Sequence, residues 1–278
     1  MNTLNTPGHQ IFGPLGSFMD NMKELHSIRA IYSFAIDNPI ADPSDPSSGN
    51  YDAEVLLKSA IVFIVTCWDA YIKQLLTSSF DFMIGNANNP DIFPVQVRMI
   101  AAENLLPPKP NADDPDKTQH SMLKERESWH QERWKKDIWS LAGSGWIELL
   151  RNNKDKVIEQ YAGRFQIPRP DRIDSLFANV IGLRRLSFTW AWDNMSNEEA
   201  IHCLNILLNL RGDIVHQNRP HRKVCIGDID YYTVFIEKMA GISANAVRRY
   251  IYDQIQIHPW ADNNILSLES NYNPAHCS

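Results

Sequence analysis

The sequence predicts an all-α protein, a helical bundle carrying a proline-rich and charged helical insertion. Three observations predict it. Glycine is scarce, 12 of 278 residues; the 16 prolines sit between longer segments as punctuation; and apolar residues recur at steps of three and four. With 44% hydrophobic and 22% charged residues the composition is that of a folded chain, and the length suffices for one large core.

Residues 1–16 read as a loose leader. A first helix is expected over Ser17–Ile36, ending before Asn38-Pro39 because a residue preceding proline disfavours helical backbone. The segment ADPSDPSSGN, 41–50, is a loop by composition. A long second helix, Asp52 to Phe82, follows from the seam Leu57, Ile61, Ile64, Trp68, Tyr71 and Leu75, which steps by four, three, four, three and four. The β-branched IVFIV within it could serve a strand, but the length of the periodic pattern decides for helix.

Six prolines and an acidic DDPD break up residues 83–116, leaving room for a short helix near Val95–Asn104. A charged helix containing KERESWHQERWKK is expected over Thr118–Ala142, then helices over Trp146–Tyr161 and Arg172 to about Leu183. The region 83–145 reads as an insertion into a single domain spanning 17–255. Ser196 and Glu199 have the spacing of a capping box, in which a serine hydroxyl and a glutamate carboxylate satisfy each other's backbone amides. The helix they open runs through NEEAIHCLNILLNLRGDIVHQ and stops near Pro220. A last helix covers Asp228–Ile255, and residues 256–278 form a polar, mobile tail.

Net charge is −6, from 27 Lys plus Arg against 33 Asp plus Glu, which excludes a uniformly basic nucleic-acid coat but not a local basic patch. The longest apolar run, Ala60 to Trp68, is well short of the roughly 20 residues a bilayer requires, so no membrane span is expected. The opening MNTLNTPGHQ lacks a basic region followed by an apolar one, so no secretory signal is expected. Cys67, Cys203, Cys225 and Cys277 form no CxxC pair and read as reduced packing thiols of a cytoplasmic protein. The nine histidines form no H-E-x-x-H motif and no Cys/His cluster, and neither a metal nor a cofactor is expected.

Two charges interrupt apolar stripes. Arg211 falls in the series Ile201, Leu204, Leu208, Arg211, Val215, and Asp69 in the series Val62, Val65, Asp69, Ile72, Leu76. A charge among apolar groups costs several kcal/mol unless paired. The economical solution is that Asp69 and Arg211 meet; the alternatives are that each reaches solvent or that Asp69 pairs with Lys73 on its own helix. His216 lies five residues after Arg211, about 140° around a regular helix. Either the helix ends near residue 215 and turns His216 inwards, or a two-fold dimer lines one cleft with two copies of the helix. The plainer reading of His216 is a cation at a helix C-terminus. QNRPHRK, 217–223, is locally basic: Arg219, Arg222 and Lys223 could hold phosphates, or form a solvated turn. Trp129, Trp134 and Trp139 near basic residues could stack bases, although an amphipathic helix with buried tryptophans explains them as well.

A capped penultimate helix ending in R-x4-H, here RGDIVH from Arg211 to His216, resembles the HEPN superfamily of small helical proteins. The helix AIVFIVTCWDAYIKQLL, with Asp69 two residues before Tyr71, looks like that family's second helix. RIDSLFANVIGL, WDNMSNEEA and the closing DIDYYTVFIEKMAGI follow the family's order, and the likeness is closest to the RiboL-PSP-type branch. It covers about residues 17–82 and 172–255. The resemblance implies an endoribonuclease, metal-independent and homodimeric, often a toxin of a toxin–antitoxin or defence system. It implies that His216 acts on the ribose 2′-OH or the leaving oxygen, that Arg211 stabilises charge on the scissile phosphate, that Asp69 orients Arg211, and that the product ends in a 2′,3′-cyclic phosphate. RNA, an antitoxin or regulatory protein, and a second copy of the chain are the implied partners.

Two positions depart from the pattern. Gly212 stands where the family usually has a polar residue, with Asp213 the nearest substitute. Asn218 stands where some relatives carry a tyrosine that is modified. With Arg219, Arg222 and Lys223, Asp213 and Asn218 complete the candidate RNA-binding set. A catalytically silent module that binds RNA, a nucleotide or a protein partner is the competing reading. A third is an interaction protein that recruits its partner through residues 107–140.

Overall fold

The structure, a computed structural model, describes residues 13–38, 48–102, 143–163, 165, 167–216 and 223–261. Within them the chain forms α1 Pro14–Met22, α2 Glu24–Asp37, α3 Ser48–Asn86, α4 Val95–Ala101, α5 Trp146–Asn152, α6 Lys154–Ala162, α7 Pro170–Val180, α8 Asn197–His216 and α9 Ile226–Ile255. There is no strand among the described residues, only an isolated bridge between Trp192 and Met195. The all-α fold class is therefore observed. The expected charged helix with Trp129, Trp134 and Trp139 lies outside the described residues.

The helix α3 is the axis. It packs against α9, α1, α2 and α8, and less extensively against α5 and α7. All six residues of its predicted seam, Leu57 to Leu75, are buried, and IVFIV is helical. The seam's centre is aromatic. Phe18 of α1 lies 4.8 Å from Tyr71, and Trp190 meets Trp68 edge-on at 6.1 Å. Two of the three polar tips are used: the Tyr71 hydroxyl donates to the Ala240 carbonyl at 2.7 Å, and Trp190 Nε1 donates to Ser243 Oγ at 2.9 Å, while Trp68 Nε1 is buried without a partner among the described residues. The first bond fixes α9 to α3 and the second fixes the segment before α8 to α9, since a buried donor without a partner is costly. Residues Ala53–Asn86 are also long and apolar enough to cross a membrane, by length and composition alone; half of that stretch's most apolar window is buried inside the bundle.

Several boundaries differ from the expected ones, and the loop expected over 41–50 gives way to α3 at Ser48. The helix expected over 17–36 is two, parted at Lys23, and that over 146–161 is two, parted at Asn153. Neither break carries proline or glycine. The leader gives way to helix at Pro14, a residue type suited to the first helical turn, with Leu15 and Phe18 in the core. The expected polar tail is docked at its start: Trp260 is buried, its ring lies 3.2 Å from where a Cβ on Gly13 would stand, and its carbonyl accepts from Arg248 Nε.

The helix α7 ends in a glycine stop. The Ile181 and Gly182 amides both donate to the Phe177 carbonyl, and Gly182 has φ +88°. A Cβ there would stand 2.7 Å from the Tyr250 hydroxyl, which itself donates to the Ile181 carbonyl at 2.8 Å.

Candidate functional site

The candidate residues gather around α8, whose start is held as its sequence predicts. The Glu199 amide donates to Ser196 Oγ at 3.2 Å, and the Ser196 amide to Glu199 Oε2 at 2.8 Å. Those bonds, the backbone one foremost, hold the exposed Glu199 carboxyl below its ordinary range. From this start α8 buries Ala200, Leu204, Leu207, Leu208 and Leu210. The arc is rotated from the expected stripe: Val215 is 44% exposed, while Leu207 and Leu210 face inwards. Arg211 stands four residues after Leu207 and three after Leu208, in line with this arc, yet is half-buried. Among the described residues no hydrogen bond or ion pair holds its guanidinium.

His216 is exposed and is the last residue of α8. The helix does not end early and turn the imidazole inwards, so the first of the two arrangements is not adopted. At about 140° from Arg211 the ring occupies a neighbouring face, close to the helix C-terminus, where the free carbonyls favour a cation. Asp213 and Gly212 are half-buried, and a Cβ on Gly212 would meet nothing within 4 Å.

Asp69 takes the on-helix alternative. Its Oδ2 accepts from Lys73 Nζ at 2.7 Å, and Lys73 also lies 5.7 Å from the Phe165 ring. Asp69 Oδ1 is buried without a hydrogen-bond partner among the described residues. The expected Asp69–Arg211 pair is thus not formed within the chain, because Lys73, one helical turn away, reaches the carboxylate with no tertiary alignment. Lys223 is exposed, and its charge reaches Glu54, whose carboxyl is held below its ordinary range mainly by the hydrogen bond from Lys58. Asn218, Arg219 and Arg222 lie outside the described residues.

One functional neighbour escaped the sequence reading. Arg169, the residue before α7, donates from Nη2 to Asn209 Oδ1 at 3.2 Å, two positions before Arg211. The signal was there: Pro168 and Pro170 fix the backbone on either side, and the residue between them caps α7 in an extended conformation. Among the described residues no group of three or more His, Cys, Asp or Glu side chains could hold a metal ion.

A helical bundle around a long apolar helix, whose penultimate helix ends in R-x4-H, defines a HEPN-type module. The RiboL-PSP-HEPN family model matches residues 23–248, most of the chain, and the chain belongs to that family. No curated protein and no solved structure matches it. Membership points to an RNA- or nucleotide-directed module.

Proposed function

We propose that the protein is an endoribonuclease of HEPN type, metal-independent and homodimeric, serving as a toxin or defence effector in the cytoplasm. The observation that carries the reading is Arg211: a guanidinium in line with a buried arc and unpaired among the described residues. By contrast Lys58, Lys73 and Arg98 each pair with a carboxylate. In the proposed reaction the His216 imidazole takes the proton from a ribose 2′-OH, and the 2′-oxygen forms a bond to the adjacent phosphorus. The bond to the 5′-oxygen breaks, the imidazolium so formed gives its proton to that leaving oxygen, directly or through water, and a 2′,3′-cyclic phosphate remains. Arg211 stabilises the negative charge that builds on the phosphate. Asp69, whose carboxylate is held by Lys73, keeps the part the family resemblance gives it, that of a positioning residue toward Arg211. Asp213, Asn218, Arg219, Arg222 and Lys223 hold the RNA backbone, and an antitoxin or regulatory protein restrains the activity.

A single-stranded RNA incubated with the purified protein in chelator is expected to be cut, and His216→Ala to slow cleavage by roughly 10²–10⁴. Absence of cutting, or cutting indifferent to His216→Ala, rejects the reading. The angular separation of Arg211 and His216 favours one alternative, a silent module that binds RNA, a nucleotide or a protein without turnover. RNA binding without scission would establish it.

A further inference from the structure

After α7 the chain makes a short 3-10 turn, Leu186–Thr189, whose position is fixed from several sides. Asp174 accepts from the Ser187 amide at 2.7 Å and from Ser187 Oγ at 2.6 Å. Asn197, the first residue of α8, donates from Nδ2 to the Ser187 carbonyl. Leu186 and Trp190 on either side are fully buried. What this anchored turn holds outward is Phe188, 62% exposed, with the Arg185 guanidinium 5.0 Å from its ring centroid. Arg184 and Arg185 are both exposed, and neither is ion-paired among the described residues. Arg185 adopts φ 58°, ψ 50°, a left-handed backbone that a residue with a Cβ avoids. Strain of this kind is kept where the side chain's placement matters.

We infer that Arg184, Arg185 and Phe188 form a second RNA contact, a stacking platform for one unpaired base flanked by two phosphate-binding cations. The inference rests on RNA being the ligand proposed above. An exposed aromatic ring beside arginine planes suits a base, which offers a π face whatever its identity. A protein contact centred on Phe188 would need an apolar surround, and the exposed residues nearest to it along the chain are Arg184, Arg185, Thr189 and the small Ala191. Because the chain is acidic overall, a polyanion must be drawn by local cations left free of carboxylates.

The platform lies on the same helix pair as the candidate site. Arg169, just before α7, bonds Asn209, and the turn after α7 bonds Asn197, so the two ends of α7 are tied to opposite ends of α8. Asn197 and Arg211 are separated by about 21 Å at 1.5 Å per helical residue. One strand touching both ends must run along α8, which explains how an acidic protein could hold RNA at His216.

The test uses the full chain with His216→Ala, to prevent cutting, and a fluorescein-labelled single-stranded RNA of about 20 nucleotides, long enough to span the gap at the spacing above. Adding Phe188→Ala is expected to weaken binding roughly tenfold without changing its salt dependence. Adding Arg184→Gln with Arg185→Gln is expected to weaken binding and to reduce the slope of log affinity against log salt by about 1.4, for two phosphates. Arg185→Gly, which relieves the left-handed backbone, is expected to melt no lower than its parent while losing affinity; this separates binding from folding. Parental affinity and slope in the Phe188 and arginine variants overturn the platform, whether or not a protein binds there. The ribonuclease reading fails separately: RNA bound through the platform but never cut by the native chain leaves this inference standing.

Discussion

Arg211, His216 and Asp69 show how much a single side chain's surroundings decide. Arg211 is offered to the exterior at the margin of a buried arc, His216 stands on the adjoining face, and Asp69 answers first to Lys73. Elsewhere burial alone sets a residue's chemistry. It pushes the Cys67 thiol up to about 11, so this cysteine is an inert packing group. It also raises the Glu237 carboxyl, with His26 opposing more weakly. The unfolded chain therefore ionises at Glu237 before the folded one does. Glu237 supports the fold fully below its ordinary pKa of 4.5, and that support is lost as pH rises through the raised folded value. Glu237→Gln is accordingly expected to raise the melting temperature near neutral pH, with the gain disappearing in acid below the ordinary value. Thermal denaturation across pH checks it, and a gain confined to acid would contradict it.

At the scale of elements, the ends of helices position the functional surface more than their middles do. Ser196 and Glu199 start α8 in the register that sends Arg211 along the buried arc. Gly182 stops α7 so that Arg184, Arg185 and Phe188 can turn outward. With φ +88° and the Tyr250 hydroxyl 2.7 Å from a would-be Cβ, Gly182→Ala is expected to destabilise the protein by roughly 1–3 kcal/mol. Chemical denaturation measures this, and a neutral result would show that the α7–α9 contact yields without loss. Legibility follows the same division. The α3 seam and the α8 capping box were readable because each depends on spacing within one helix. The breaks at Lys23 and Asn153 were not, because neither a proline nor a glycine marks them and the apolar periodicity continues across them. The choice of Lys73 over Arg211 by Asp69 was open for a related reason: a local partner and a distant one satisfy the same carboxylate.

For the whole molecule, the bundle places α8 against the α3 axis and leaves its polar side open. Under the reading proposed above, the site that brings Arg211 and His216 together is completed across a two-fold axis. Mixing the Arg211→Ala and His216→Ala proteins tests this. If each site draws its arginine from one copy and its histidine from the other, heterodimers retain one intact site. Renaturing the two variants together is then expected to restore a clear fraction of native cleavage that neither shows alone. Failure to restore it would place both groups in one chain's site.

The sequence by itself determined that the chain is helical, where α3 and α8 lie, which residues form the buried seam of α3, and that Arg211 and His216 differ in facing. These properties follow from 3.6-residue periodicity and local capping, which act within a few turns of one helix. Only the tertiary structure decided the half-burial of Arg211, the partner of Asp69, the docking of Trp260 on Gly13, and the outward turn carrying Phe188. Each depends on which element packs against which, and that is set by contacts between residues far apart in the chain.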